Sequence, residues 1–313
     1  YMGEDIDVLY NFIHSGDPEK REHCDCEIRD KEMANNQDRL TGDYNDFWAG
    51  RDYANALDHY KAATLMAHGF NDWNVMPSHT IRIHEKLKEK GLPLQTYLHQ
   101  GGHRGYVPMK LMNRWFTRYL HGIENDVEKD AKAWVVREDA RPQNPTPYAD
   151  YPNPDAAPVL LELGKGGVTT GSLEIAGNTK SQAEETLVDD VQFSGKQLAQ
   201  SAESKNRLLY ATPALKESVH LSGTSTLKIK LASNKPAANL SVWLVSLPFS
   251  DSSKLNDNII TRGWADPQNN VSMTESAPLE PGKFYELSFE LEPDDQVIPA
   301  GQKIGLMIFS SDR

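Results

Sequence analysis

Between residues 62 and 120 the chain switches twice from a short apolar run to a stretch of helical period, and this alternation restricts the fold more than any other feature. Ala62-Ala63-Thr64-Leu65-Met66-Ala67 is an apolar run that breaks at His68-Gly69, the pattern of a strand buried on both faces. Residues 77–90 carry Ile81, Ile83, His84 and Leu87 and close on Lys88, Lys90 and Gly91-Leu92-Pro93. That spacing predicts a helix with a basic last turn and a glycine stop. Leu94-Gln95-Thr96-Tyr97-Leu98 predicts a second strand, running into Gln100-Gly101-Gly102-His103. Met109, Met112, Trp115, Phe116, Tyr119 and Leu120 then recur as an amphipathic helix. Strand, helix, strand, helix with short loops between them is an α/β pattern built on a parallel sheet.

The flanking segments differ in character. Residues 4–40 read as helical, with Ile6, Leu9, Tyr10 and Ile13 at helical spacing and a second start at Asp17-Pro18. The helix expected over about 18–36 is so charged that most of it should face solvent, as a cap does. From about residue 126 the helical period is replaced by short strand-like runs. Trp134-Val135-Val136, Val159–Leu163, Arg207–Tyr210, Leu227–Leu231, Leu240–Val245, Phe284–Phe289 and Ile304–Phe309 are separated by Pro, Gly, Asn and Asp, which indicates a sandwich or jelly roll. Arg141-Pro142-Gln143-Asn144-Pro145-Thr146-Pro147 should be an extended connection. The expected organisation is therefore α/β plus all-β. It comprises a helical cap segment over 1–50, the C-terminal part of an α/β catalytic domain over 51–125, and a jelly-roll β-sandwich over 126–313. The helix over 109–121 should be the last element of the α/β layer, all later structure should be antiparallel strand, and Trp243 should be buried.

Composition narrows the function. Of 313 residues, 33 are Lys or Arg and 45 are Asp or Glu, a formal charge of −12, which argues against a nucleic-acid partner. No apolar run approaches the roughly 20 residues of a membrane helix. The two cysteines, Cys24 and Cys26, are too few for a disulfide scaffold and stand at a spacing that points them apart on a helix, a usage that fits a reducing cytoplasm. No signal peptide precedes the first helical pattern, and both termini read as cut from something longer.

The chemistry concentrates at the ends of the two strands of the middle segment. The first delivers His68-Gly69-Phe70-Asn71-Asp72-Trp73-Asn74-Val75 and the second Gly101-Gly102-His103-Arg104-Gly105, both at the carboxyl edge where open α/β sheets place their sites. Adjacent parallel strands would set Asp72 beside His103, within about 2.6–3.2 Å. A buried carboxylate there fixes the imidazole tautomer and stabilises the imidazolium. That pair is the acid and base of an α/β-hydrolase triad, whose chain order is nucleophile, acid, base. No Gly-x-Ser-x-Gly elbow precedes Asp72, so the nucleophile is expected upstream of Tyr1. His68 reads as a hydrogen-bonded structural residue. His99 and His103 are four apart, but the intervening loop speaks against shared metal ligation. Asp43, Asp46 and Asp52 read as a solvated face, lacking the Gly-centred loop of a calcium site. Nothing in the pattern calls for a metal or another cofactor.

The runs Asn45-Asp46-Phe47-Trp48-Ala49-Gly50-Arg51-Asp52-Tyr53, His68–Val75 and Gly102-His103 resemble the X-prolyl dipeptidyl aminopeptidases of lactic acid bacteria and their relatives. The resemblance implies a cytoplasmic, usually dimeric serine peptidase that removes dipeptides from peptide N-termini when proline is penultimate. It places Asp72 and His103 at the triad acid and base. Asn74, two residues after the acid, either donates to a substrate carbonyl or stabilises its own turn. Glu19, Glu22 and Glu27 of the cap are candidates for reading the substrate ammonium. Two other readings remain: a related hydrolase of acyl esters or amides, and a stand-alone carbohydrate-binding sandwich using Trp243, Trp264 and Tyr285.

Overall fold

The computed structural model describes residues 16–138, 140–178, 182–252 and 257–310, so the helix expected near residues 4–13 lies outside the described residues. Asp17 opens the described chain as a helix cap: its carboxylate accepts from Glu19 N and Lys20 N, with Pro18 at the first helical position. Helix α1 (Pro18–Glu22) continues as a π-helical stretch, His23–Met33, and a last turn, α2 (Ala34–Asn36). Met33 alone of these residues is buried, as the charge density of the segment anticipates. A short α3 (Asp46–Ala49) follows, capped by the Asn45 side chain. Trp48 Nε1 donates to Gln37 O at 2.9 Å and ties the two parts together.

Strands β1 (Thr64–Gly69), β2 (Leu94–His99), β3 (Ala133–Val135) and β4 (Thr146–Tyr148) form one sheet in that order. The first three are parallel and β4 is antiparallel to β3. Helices α4 (Pro77–Glu89) and α5 (Met109–Tyr119) make the crossovers. Every residue of β2 is buried, whereas β1 pairs only with β2 among the described residues and stays largely half-buried. This sheet corrects the expectation that structure after α5 belongs to the sandwich. Trp134-Val135-Val136 lies in the α/β layer, with Thr96 opposite Ala133 in a parallel pair. A three-residue apolar run does not specify its partner. Burial chose it: Ala133 and Val135 are fully buried in one cluster with Phe70, Leu98, Tyr148 and Tyr151.

The β region is built on a six-stranded sheet. Its strands are β5 (Leu161–Leu163), β6 (Gly171–Ile175), β7 (Arg207–Ala211), β10 (Leu240–Leu247), β11 (Ile259–Ala265) and β14 (Lys303–Phe309), in the order β11-β10-β14-β7-β6-β5. Two ribbons accompany it: β8 (Val219–Gly223) with β13 (Asp294–Ile298), and β9 (Thr226–Leu231) with β12 (Tyr285–Glu290). One face of the sheet packs Val242, Leu306 and Ile308 against Leu227 and Ile298 of the ribbons. The other packs Trp243, Met307 and Phe309 against the short helix α6 (Gly195–Gln200) and against Trp73. Trp243 is buried, its ring 5.4 Å from that of Phe309 in an edge-on arrangement. Pairing is antiparallel except between β6 and β7, which are parallel, a departure from the uniform antiparallel order expected.

Candidate active site

The parallel register of β1 and β2 sets Gly69 opposite His99, so the two chains leave the sheet side by side. Their loops are then tied by backbone: Phe70 N donates to His99 O at 2.8 Å and Asn71 N to Gly101 O at 3.1 Å. Asp72 turns on itself, its N–H donating to Gly69 O and its Oδ1 accepting from Asn74 N at 3.1 Å and Val75 N at 3.0 Å. The remaining oxygen, Oδ2, lies 3.0 Å from His103 Nδ1. The carboxylate is 7% exposed and the imidazole 62%. A carboxylate accepts only, so Nδ1 carries the proton and Nε2 is left as a base on an open ring. This is the side-by-side placement expected from the two strand ends, at the distance expected.

The neighbouring histidines have other tasks. His68 Nε2 donates to Val75 O at 2.8 Å and Nδ1 lies 2.6 Å from the Thr80 hydroxyl, which together fix the orientation of the ring. It also lies 3.7 Å from Asp72 Oδ2, walling the carboxylate. His99 is buried, its Nδ1 accepting from Gly101 N at 3.0 Å. Burial, reinforced by the neighbouring His68, holds its imidazole below the usual range. Gly105 packs against its Nε2 side so closely that no Cβ would fit. His99 and His103 therefore serve separate contacts. Among the described residues no group of three or more His, Cys, Asp or Glu converges as a metal site.

Asn74 follows Asp72 by two residues in the same turn. Its backbone closes the turn, while its side-chain Oδ1 is buried without a hydrogen-bond partner. Glu19, Glu22 and Glu27 are exposed, and Glu27 pairs with Lys31 at 2.9 Å. The acidic residues beyond them are divided among structural tasks. Asp43 accepts from Asn269 Nδ2 and Ser276 N, the Asn269 contact leading a set that lowers its carboxyl below the usual range. Asp52 pairs with Arg82 at 2.8 Å, and Asp46 occupies the first turn of α3. Of the aromatics considered for sugar stacking, Trp243 is in the core, Trp264 lies beside Arg262, and Tyr285 accepts from Glu280 N and lies beneath Lys283.

The β region reaches the site through residues with no local signal in the sequence. Arg262 of β11 stacks on Trp73, the residue after Asp72. Glu292 accepts from Ser78 N at 3.0 Å and Ser78 Oγ at 3.1 Å. Gln100, three residues before His103, donates to Asp295 O at 2.7 Å, and its own carbonyl accepts from Asn71 Nδ2 at 3.0 Å. Asp295 is fully buried and accepts from Tyr148 Oη at 3.1 Å and His220 Nε2 at 2.9 Å.

Parallel strands carrying an acid at one carboxyl end and a hydrogen-bonded histidine at the next, continued by a β region, define a protein of the α/β-hydrolase type. The solved structures it resembles have the same fold. An aminopeptidase from a marine sediment archaeon, Thaumarchaeota archaeon, superposes with a TM-score of 0.71 at 15% identity, over 100% of this chain and 57% of that one. An α-amino acid ester hydrolase gives 0.68 at 14% identity, over 97% of this chain and 57% of that one. The chain belongs to the X-Pro dipeptidyl-peptidase family: residues 1–105 match the X-Pro dipeptidyl-peptidase (S15 family) model, and residues 125–313 match the X-Pro dipeptidyl-peptidase C-terminal non-catalytic domain. A putative Xaa-Pro dipeptidyl-peptidase of Rhodopirellula baltica is 58% identical over 316 residues, covering 100% of this chain and 50% of the relative. One from Bacillus anthracis is 33% identical, covering 100% and 51%. The chain thus spans about half the length of these curated relatives.

Proposed function

We propose that this chain supplies the acid and base of a serine exopeptidase that releases Xaa-Pro dipeptides from peptide N-termini, with the nucleophilic serine in the upstream part of the polypeptide. The observation that carries the proposal is the hydrogen bond from His103 Nδ1 to the buried Asp72 carboxylate, 3.0 Å long, beneath an open imidazole, in a chain of this family. His103 Nε2 takes the serine proton as the hydroxyl attacks the carbonyl after proline, then returns it to the leaving amine. Asp72 holds the ring in register and stabilises its cation. In this reading Asn74, two residues after Asp72, donates its side-chain amide N–H to the carbonyl of the substrate's first residue. The cytoplasmic location, the homodimer and a jelly-roll description of the β region belong to the same proposal, as does the expectation that residues 1–313 alone are inactive. No helix among the described residues is long and apolar enough to cross a membrane.

The test is a chromogenic panel, Gly-Pro, Gly-Ala and a plain acyl ester, on the full-length protein. Preference for Gly-Pro is expected, and Asp72→Asn should lower kcat by roughly 10⁴ through the wrong tautomer. Preference for the ester, or a loss of tenfold or less in Asp72→Asn, would overturn the assignment.

A further inference from the structure

We propose that Glu292, contributed by the β region, is a positioning residue for the Asp72–His103 pair, capping α4 from outside and so fixing the loop that carries Asp72. The inference rests on the proposed serine-hydrolase reading and adds a role for the part of the chain whose family description is non-catalytic.

Helix α4 cannot cap itself. Its N-cap residue is Met76, which makes no side-chain cap hydrogen bond, and Pro77 has no N–H to offer. An α-helix leaves its first N–H groups without internal partners, and a cap is commonly worth about 1 kcal/mol. Here the acceptor comes from 214 residues away: Glu292 Oε2 takes Ser78 N and Oε1 takes Ser78 Oγ. The negative charge also sits where the helix dipole favours it. Burial pushes the Glu292 carboxyl up, and the two Ser78 donors oppose that shift. The backbone of Glu292 is locked in turn, its N–H donating to Arg262 O at 2.7 Å and its carbonyl accepting from the Thr261 hydroxyl.

Only Trp73, Asn74, Val75 and Met76 separate Asp72 from α4. Trp73 is stacked by Arg262 and Ser78 is held by Glu292, so β11 and the residue bonded to it grip this short loop at both ends. Inside the grip, Asn74 N and Val75 N hold Asp72 Oδ1 and thereby aim Oδ2 at His103. Releasing the Ser78 end lets the first turn of α4 fray and frees those two N–H groups to rotate, which turns the carboxylate off the imidazole. A tie that merely joined two domains would lower stability when cut and leave the chemistry alone.

The experiment uses the full-length protein and Glu292→Ala, Glu292→Gln and Ser78→Ala. Three quantities are read: the rate of labelling by a fluorophosphonate, which reports serine activation whatever the natural substrate; kcat and KM on a Gly-Pro chromogenic peptide; and Tm. Glu292→Ala should slow labelling and lower kcat by roughly 10², the scale of a misplacement of about 1 Å, with KM within about twofold. Glu292→Gln should recover most of both, because its amide oxygen still accepts from Ser78. A lowered Tm with labelling and kcat within about threefold of wild type overturns the inference, as does a raised KM at unchanged kcat. If Glu292→Ala does not fold, Ser78→Ala decides: labelling slowed about threefold or more supports the role, and unchanged labelling refutes it. Wild-type protein that labels but spares Gly-Pro peptides refutes the substrate assignment alone. Wild-type protein that fails to label refutes both.

Discussion

Gly69→Ala is the most searching perturbation of the way β1 and β2 deliver the site. A Cβ built at Gly69 would lie 2.6 Å from Gly102 O and 2.8 Å from His99 Cε1, and closer still to Gly101 O. Ordinary contacts of this kind start near 3.4 Å, so the Gly101 and Gly102 carbonyls must retreat by roughly 1 Å. They cannot do so alone. Gly101 O holds Asn71 N, and the same turn carries His103. The retreat therefore lengthens the 3.0 Å contact between His103 and Asp72 towards about 4 Å, beyond hydrogen-bond reach. A displacement of this size costs on the order of 10² in rate, about 2.7 kcal/mol of transition-state stabilisation. Overpacking should cost a further ~1–3 kcal/mol of fold stability. The assay is fluorophosphonate labelling with kcat and KM on the full-length protein, beside a melting curve. Gly102→Ala is the comparison, because its Cβ meets a single atom, Asn71 O, at 3.3 Å, and it should lose only a fewfold. A folded Gly69→Ala protein with kcat within about threefold of wild type would refute the claim that this contact sets the His103 loop.

Three further outcomes follow from the packing and the buried charges. Trp243→Ala should cost roughly 3–5 kcal/mol in urea unfolding, since the ring fills the space between Gly195 and Phe309; a loss under about 1 kcal/mol would contradict its burial. Arg207 is fully buried and donates to five carbonyls, those of Gly167, Val168, Thr169, Leu198 and Ser201. Arg207→Met removes all five of these buried hydrogen bonds, although Gly167, Val168 and Thr169 keep Leu209 N, Ser204 N and Thr170 Oγ1 as donors; it should cost upward of about 3 kcal/mol, and an unchanged unfolding midpoint would refute that account. Burial pushes the Asp294 carboxyl well above its ordinary range, with Asp295 and Glu138 adding repulsion. Its contribution to stability is thus complete at acid pH and is lost as pH rises through the raised folded value. Asp294→Asn removes that loss, so its Tm advantage over wild type should widen as pH rises above the ordinary carboxylate range; parallel Tm curves would show that Asp294 does not titrate in this way.

Much of the middle segment was legible because its information is local. The helix expected over 77–90 is Pro77–Glu89, the strand expected over 94–98 is Leu94–His99, and the helix expected over 109–121 is Met109–Tyr119. The strand expected over 62–67 forms two residues later, at Thr64–Gly69, because pairing with β2 rather than hydrophobicity sets its limits. The β region was less legible. Strands β6, β8, β11 and β13 carry Glu174, Ser222, Thr261, Arg262, Asp294, Asp295 and Gln296 among their apolar residues, which hides the period of two. Such residues can be buried in a sheet only when polar partners meet them. For Asp295 these are Tyr148 and His220, 147 and 75 residues distant.

The sequence by itself determined that an acid and a histidine would stand together. Apolar runs, helical period and glycine stops are properties of a few consecutive residues. A parallel strand–helix–strand unit has one handedness, so Asp72 and His103 had to emerge at neighbouring strand ends. Only the tertiary structure decided what holds them. It placed Trp134 and Val135 in the α/β sheet rather than the sandwich. It brought Arg262 onto Trp73, Glu292 onto Ser78 and Asp295 onto Gln100. The physical reason is that a side chain's local period fixes which face it presents, whereas its partner is chosen by burial and hydrogen bonding across the whole chain. Ser78 has no acceptor within its own helix, and an acceptor 214 residues away becomes a neighbour only when the β region packs against the sheet.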